Sequence, residues 1–147
     1  MRDPYNVLQD MAAVIDIDGL HRGEQLAVRG YINRFDICAV AFGVAEGRYS
    51  TPPAEFFTDE LAAMTLIEAS AGAMAAIKAI SHVLDTHVDE EELAPGFFVP
   101  NYISHVSNWA RTTPVGETRP PTATEVIGRI LRAANTLATQ TPTPRAA

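Results

Sequence analysis

No proline falls between Pro53 and Pro95, and within that interval the stretch from Asp59 to Asp85 repeats apolar residues at helical spacing. Read as one helix rising ~1.5 Å per residue, it spans roughly 40 Å, longer than the radius of a domain this size. Such a rod has to be the spine of the fold. Asp59 and Glu60 favour a helix start by complementing the positive end of the helix dipole. The inner stripe reads Leu66, Ser70, Ala73, Ile77, Ile80 and Leu84, and the small residues from Ala69 to Ala76 predict neighbouring helices at close approach. Gly72 lowers helix propensity by about 0.8–1 kcal/mol relative to alanine, which close packing would offset.

Flanking segments supply the rest of a bundle. Asp3 and Pro4 open an amphipathic helix over residues 4–17, ended by Gly19. Residues 20–35 lack a sustained period and read as loop, with a short strand left open at 26–32. Asp36 caps a second helix, apolar nearly all round and so expected to be buried, which Gly47 ends. The Pro52-Pro53 pair makes Tyr49 to Phe57 a connection, as do the acids Asp89 to Glu92 with Pro95, Gly96 and Pro100 for residues 86–100. A fourth helix fits Asn101 to Arg111. The last opens on Thr122 and Glu125, spaced as a capping box, with Glu125 and Arg129 expected to pair outward one turn apart. The expected fold is all-α: a single-domain bundle of about five helices over residues 1–140 around the long Ala-rich central helix, with a disordered tail at 141–147.

Charge narrows the partners. The chain carries 18 acids against 11 bases, a net −7, which disfavours nucleic acid because phosphate binding draws its affinity from basic patches. Five arginines and only two acids fall in residues 111–147, leaving a weakly basic C-terminal end. The lone Cys38 cannot pair within the chain, and no basic-then-apolar leader or spanning run is present, so a reducing cytoplasm and no membrane are expected.

Candidate chemistry is sparse. A thiol in the first turn of a helix can have a depressed pKa, but Asp36 opposes a thiolate at Cys38 and the surrounding helix is too apolar to stay wet. The core reading of Cys38 is therefore preferred. His82 and Asp85 have metal-ligand spacing on a helix, yet neither HExxH nor a calcium-loop pattern accompanies them, so no metal is expected and no cofactor. Ser81-His82 and Ser104-His105 are adjacent pairs whose side chains diverge on a helix. A ligand pocket, if there is one, is expected between the Cys38 helix and Trp109, polar at His105 and Asn108.

The segments DICAVAFGVAEG, NWART and PPTATEVIGRILRAAN, with an Ala-rich helix between the first two, follow an order that resembles a group of small uncharacterised all-helical proteins of GC-rich Gram-positive bacteria, their plasmids and phages. The matching positions are Cys38, Asn108, Trp109, Thr122, Glu125 and Val126. The resemblance implies no catalytic residues; it implies an accessory protein of a mobile element or a specialised gene cluster. Together these observations favour a non-enzymatic interaction or regulatory accessory protein, with a protein partner or a homo-oligomer. Two alternatives stand beside it: a small enzyme or ligand-binding protein with its pocket near Cys38 and Trp109, and a DNA-binding regulator using the basic C-terminal helix.

Overall fold

A computed structural model describes residues 1–140, in which seven helices and two hairpins follow one another. In order these are α1 (Pro4–Asp18), β1 (Ala27–Val28), β2 (Arg34–Phe35), α2 (Ile37–Glu46), α3 (Glu55–Thr58), α4 (Glu60–Glu68), α5 (Ala71–His82), β3 (Glu90–Ala94), β4 (Phe97–Pro100), α6 (Tyr102–Arg111) and α7 (Ala123–Gln140). The fold is mostly helical but mixed, which corrects the all-α expectation. The expected tail at 141–147 lies outside the described residues.

The long rod is not formed. Its sequence splits into α4 and α5, which meet at 95°. Ser70, expected on the inner stripe of a continuous helix, instead leaves helical geometry (φ −90°, ψ 105°), and its hydroxyl accepts the Ala73 N–H at 3.1 Å. The same hydroxyl donates to the Glu46 carboxylate at the end of α2. A serine side chain offers the backbone an alternative to the helical ladder, and here a second partner on a neighbouring helix decides the competition. What remains central is α5 alone. It packs against α1, α2, α4, α6 and α7, burying Ala73, Ala76, Ile77 and Ile80 completely.

Close approach at the small-residue stretch does occur. A Cβ built at Gly72 would lie 3.2 Å from the Ala45 Cβ of α2, tighter than ordinary contact. Helix α2 is buried from Ile37 to Val44, and α7 lies along α1 through Val126, Ile130, Ala133 and Ala134. The expected caps form: Asp3 accepts from Tyr5 N–H, Asp36 from Cys38 N–H, and Thr122 and Glu125 each accept the other's N–H at 3.2 Å; Asp59, expected only to complement the helix dipole, also caps by accepting from Ala62 N–H. The expected Glu125–Arg129 pair is absent. Arg129 reaches across to the Val83 carbonyl at 2.8 Å, one of the orphan acceptors at the end of α5, and to Asp85 at 2.6 Å. Glu125 pairs with Arg119 instead.

The segment read as loop at 20–35 and the connection at 86–100 each contain an antiparallel hairpin, while the other connection, Tyr49 to Phe57, runs into the short helix α3. In the first, Ala27 pairs with Phe35 and Val28 with Arg34, while Leu26 and Phe35 reach the core. In the second, Pro95-Gly96 is not loop punctuation but the turn itself, since proline presets the first central position and Gly96 supplies the positive φ of 78° needed at the next.

No single helix among the described residues is long and apolar enough to cross a membrane. The packing of α5 is directly testable. Gly72→Leu should destabilise the protein by about 1–3 kcal/mol in chemical denaturation, because the added atoms meet Ala45. Gly128→Ala, in α7 with nothing within 4 Å of the new Cβ, should stabilise by ~0.5–1 kcal/mol.

Candidate functional site

Helix α6 carries His105, Asn108 and Trp109, three of the four residues expected at a site, and presents polar groups on two sides. Residues four apart share a helical face, so Ile103 and Ser107 point together toward the start of α2. There the Asp36 carboxylate, 2% exposed, accepts the Cys38 N–H at 2.9 Å and the Ser107 hydroxyl at 2.8 Å. The Cys38 thiol is fully buried, 3.3 Å from the Ser107 oxygen and 3.7 Å from the Ile103 carbonyl that can take its proton. Burial pushes the thiol well above its ordinary pKa, and the Asp36 charge pushes the same way. Burial also raises Asp36, against the lowering effect of the Ser107 hydrogen bond. A protonated, enclosed sulfur is no nucleophile. This trio fastens the first turn of α2 to α6.

On its other side α6 meets the end of α5 and the segment that follows it. His105 is 2% exposed, with Nδ1 2.6 Å from the Ser81 hydroxyl and Nε2 2.7 Å from that of Thr86. A neutral imidazole donates at one nitrogen and accepts at the other, and two hydroxyls can satisfy either tautomer. Burial lowers the pKa of His105, opposed by the nearby Asp89 charge. Asn108 donates to the Asp89 carboxylate at 3.1 Å, and Asn101 N–H donates to the Asp89 carbonyl at 2.7 Å. These contacts root the β3–β4 hairpin. Thr86, His87 and Asp89 then join His105, Asn108 and Trp109 around a cavity of about 210 Å³, mostly apolar.

A cavity thus lies beside Trp109, His105 and Asn108, and Cys38 is not part of its lining. Cys38 faces the opposite side of α6. Ser81, Thr86 and Asp89, which hold the site residues, carry no sequence signal because they lie 19 to 24 positions away from their α6 partners and only the fold brings them together. His82 and Asp85 diverge: His82 packs edge-on against Tyr102, whereas Asp85 pairs with Arg129. No group of three or more metal-ligating side chains converges among the described residues.

The hairpin itself has no sequence signal beyond Pro-Gly between two short apolar runs. It projects from the body with every β3 residue exposed, and Leu93, Phe97 and Phe98 are 59%, 58% and 53% exposed. Glu90, Glu91 and Glu92 line one strand, opposite Pro100, Val99 and Phe98 on the other. No protein family, curated protein or solved structure matches this chain.

Two measurements test this account. His105 has a folded pKa below its ordinary 6.5, so the native state binds fewer protons than the unfolded chain as pH falls. Its contribution is present above that ordinary value and lost on acidification. Denaturation midpoints should consequently drop less between about pH 7 and pH 5 in His105→Gln than in the wild type, and equal slopes would exclude His105 as the source. Thiol reagents should modify Cys38 only at the rate of unfolding; rapid labelling of the native protein would contradict its enclosure.

Proposed function

We propose that this chain is a non-enzymatic interaction protein that engages a protein partner through the β3–β4 hairpin. The observation that carries the reading is the exposure of Leu93, Phe97 and Phe98 on an arm whose strands pack mainly on each other. A two-stranded hairpin is marginal alone in water, and large apolar side chains held away from the core favour a covering surface. The Asp89–Asn108 and Asn101–Asp89 contacts give the arm a fixed root, as an interaction element needs.

Charge selects the partner. Two arms laid together would place Glu90, Glu91 and Glu92 of both copies side by side, and like charges on adjacent strands repel. A partner offering an apolar groove with a basic rim fits better. The DNA reading has less support, because Arg111, Arg119 and Arg129 lie beside Glu60, Glu125 and Asp85 rather than forming an unpaired basic stripe. The cytoplasmic setting rests on the single cysteine, and the role as an accessory of a plasmid or other mobile element rests on the resemblance of the three segments alone.

The test is photo-crosslinking inside the source cell, with the reactive residue placed at Phe98 or, as a control, at the even more exposed Leu61 on α4. A discrete protein adduct at 98 that weakens when Glu91 and Glu92 are changed to lysine is expected. Labelling at 98 no different from that at 61 would defeat the reading.

A further inference from the structure

The arm is not the only hairpin that leaves apolar side chains in water. On β1–β2 and its turn, Val28, Tyr31 and Ile32 are exposed, Tyr31 completely. The two hairpins carry opposite charge. Residues 86–100 hold Asp89, Glu90, Glu91 and Glu92 and no lysine or arginine, whereas residues 25–35 hold Arg29 and Arg34 and no acid. We propose that the acidic β3–β4 arm of one copy docks on the basic β1–β2 hairpin of a second copy of this chain. This rests on the arm being the interaction element, and names the partner that the arm takes.

Register sets what each surface presents. Residues directly opposite one another in an antiparallel pair share a face, and neighbours along a strand point to opposite faces. Glu92 lies opposite Phe98 and Glu90 opposite Pro100, so one face of the arm shows an aromatic ring beside two carboxylates. On β1–β2, Val28 lies opposite Arg34 on the outer face, because their neighbours Ala27 and Phe35 turn into the core. Tyr31 and Ile32 sit in the turn beyond them. Each hairpin therefore has an apolar centre with charge at its side, and the signs are complementary.

Both guanidiniums are free to be used. Arg29 stacks over the Phe57 ring, 4.0 Å from its centroid, a placement that leaves the in-plane N–H groups available. Neither Arg29 nor Arg34 has a carboxylate within ion-pair distance among the described residues, the neighbouring Glu24 and Glu55 included. The C-terminal arginines compete poorly for the arm. Arg111, Arg119 and Arg129 are engaged by Glu60, Glu125 and Asp85, and of the large apolar residues described in that stretch only Val115 is exposed. Opposite charge favours arm against β1–β2 over two arms or two β1–β2 hairpins together, where like charges meet. Within one copy neither hairpin covers the other, since Tyr31 and Phe98 both remain exposed. The contact joins unlike patches, so every copy can both give an arm and receive one.

A contact between two hairpins falls below the ~1,200 Å² of standard interfaces, so the expected Kd is on the order of 10–100 μM. In sedimentation velocity the wild-type mass should rise between about 10 and 500 μM protein, and rise less at ~0.5 M than at ~0.05 M salt. Glu90→Lys with Glu92→Lys, and separately Arg29→Glu with Arg34→Glu, should each weaken self-association at least about tenfold. An equimolar mixture of these two variants should associate as the wild type does, because every arm then meets a hairpin of opposite sign, and that rescue also shows that both variants fold. A wild-type chain that stays monomeric throughout, reversals that leave association unchanged, or a mixture that does not associate would each overturn the proposal. Photo-crosslinking from position 98 separates this inference from the reading it rests on. An adduct to residues 28–34 of a second copy supports both. A different protein captured at 98 by a monomeric chain removes the second copy as partner and leaves the arm reading standing, whereas labelling at 98 no different from that at 61 defeats the arm itself.

Discussion

The distance at which α5 can lie against α2 governs the arrangement of every other element. At Gly72 no side chain intervenes, and the space that a Cβ would need is already occupied by Ala45. Close packing of backbones gains many weak dispersion contacts at once, and interiors at this density have few ways to relax. Ser70, two positions before Gly72, and Glu46, next to Ala45, fix the same contact by a hydrogen bond. With α5 held there, its remaining faces receive α1, α6 and α7, and its C-terminal end, where Ser81 and Val83 lie, becomes the platform for the site.

Local signals explain what was legible beforehand. Asp3, Asp36 and Thr122 each sit before an apolar period and each accepts an N–H of the first turn, a short-range relation that sequence spacing carries in full. His105, Asn108 and Trp109 were readable as one group because they share a helix. The split of the rod was not readable by periodicity, since the apolar repeat continues straight through Ser70 and Gly72. Only the acceptor on Glu46, 24 positions earlier, makes capping at Ser70 the better solution. The β3–β4 hairpin failed for a different reason: its strands do not alternate between apolar and polar, because neither face is buried.

Cys38 and Trp109 illustrate how two residues expected at one pocket come to have different fates. Both Cys38 and Trp109 contact α6 or belong to it, yet a helix about 10 Å across separates its sides completely. The side bearing Ser107 closes over Asp36 and Cys38 and excludes water, so its polar atoms satisfy one another and hold helices together. The side bearing His105 and Trp109 opens onto a cavity. Polarity on a helix marks a site only where the fold leaves space beside it.

The root of the hairpin is where these constraints meet. An arm whose own strands bury nothing cannot orient itself, so its direction is set by what holds Thr86 and Asp89. Both are held by α6, through His105 and Asn108, and His105 is in turn fixed by Ser81 on α5. The chain of contacts therefore runs from the packed centre outward, Ser81 to His105 to Thr86, with apolar packing at one end and exposed aromatic rings at the other. Every link in it beyond Ser81 is a polar contact, and polar contacts demand direction where apolar packing demands only shape. That is why a largely hydrophobic helical body can present a hairpin at a defined angle without any core beneath it.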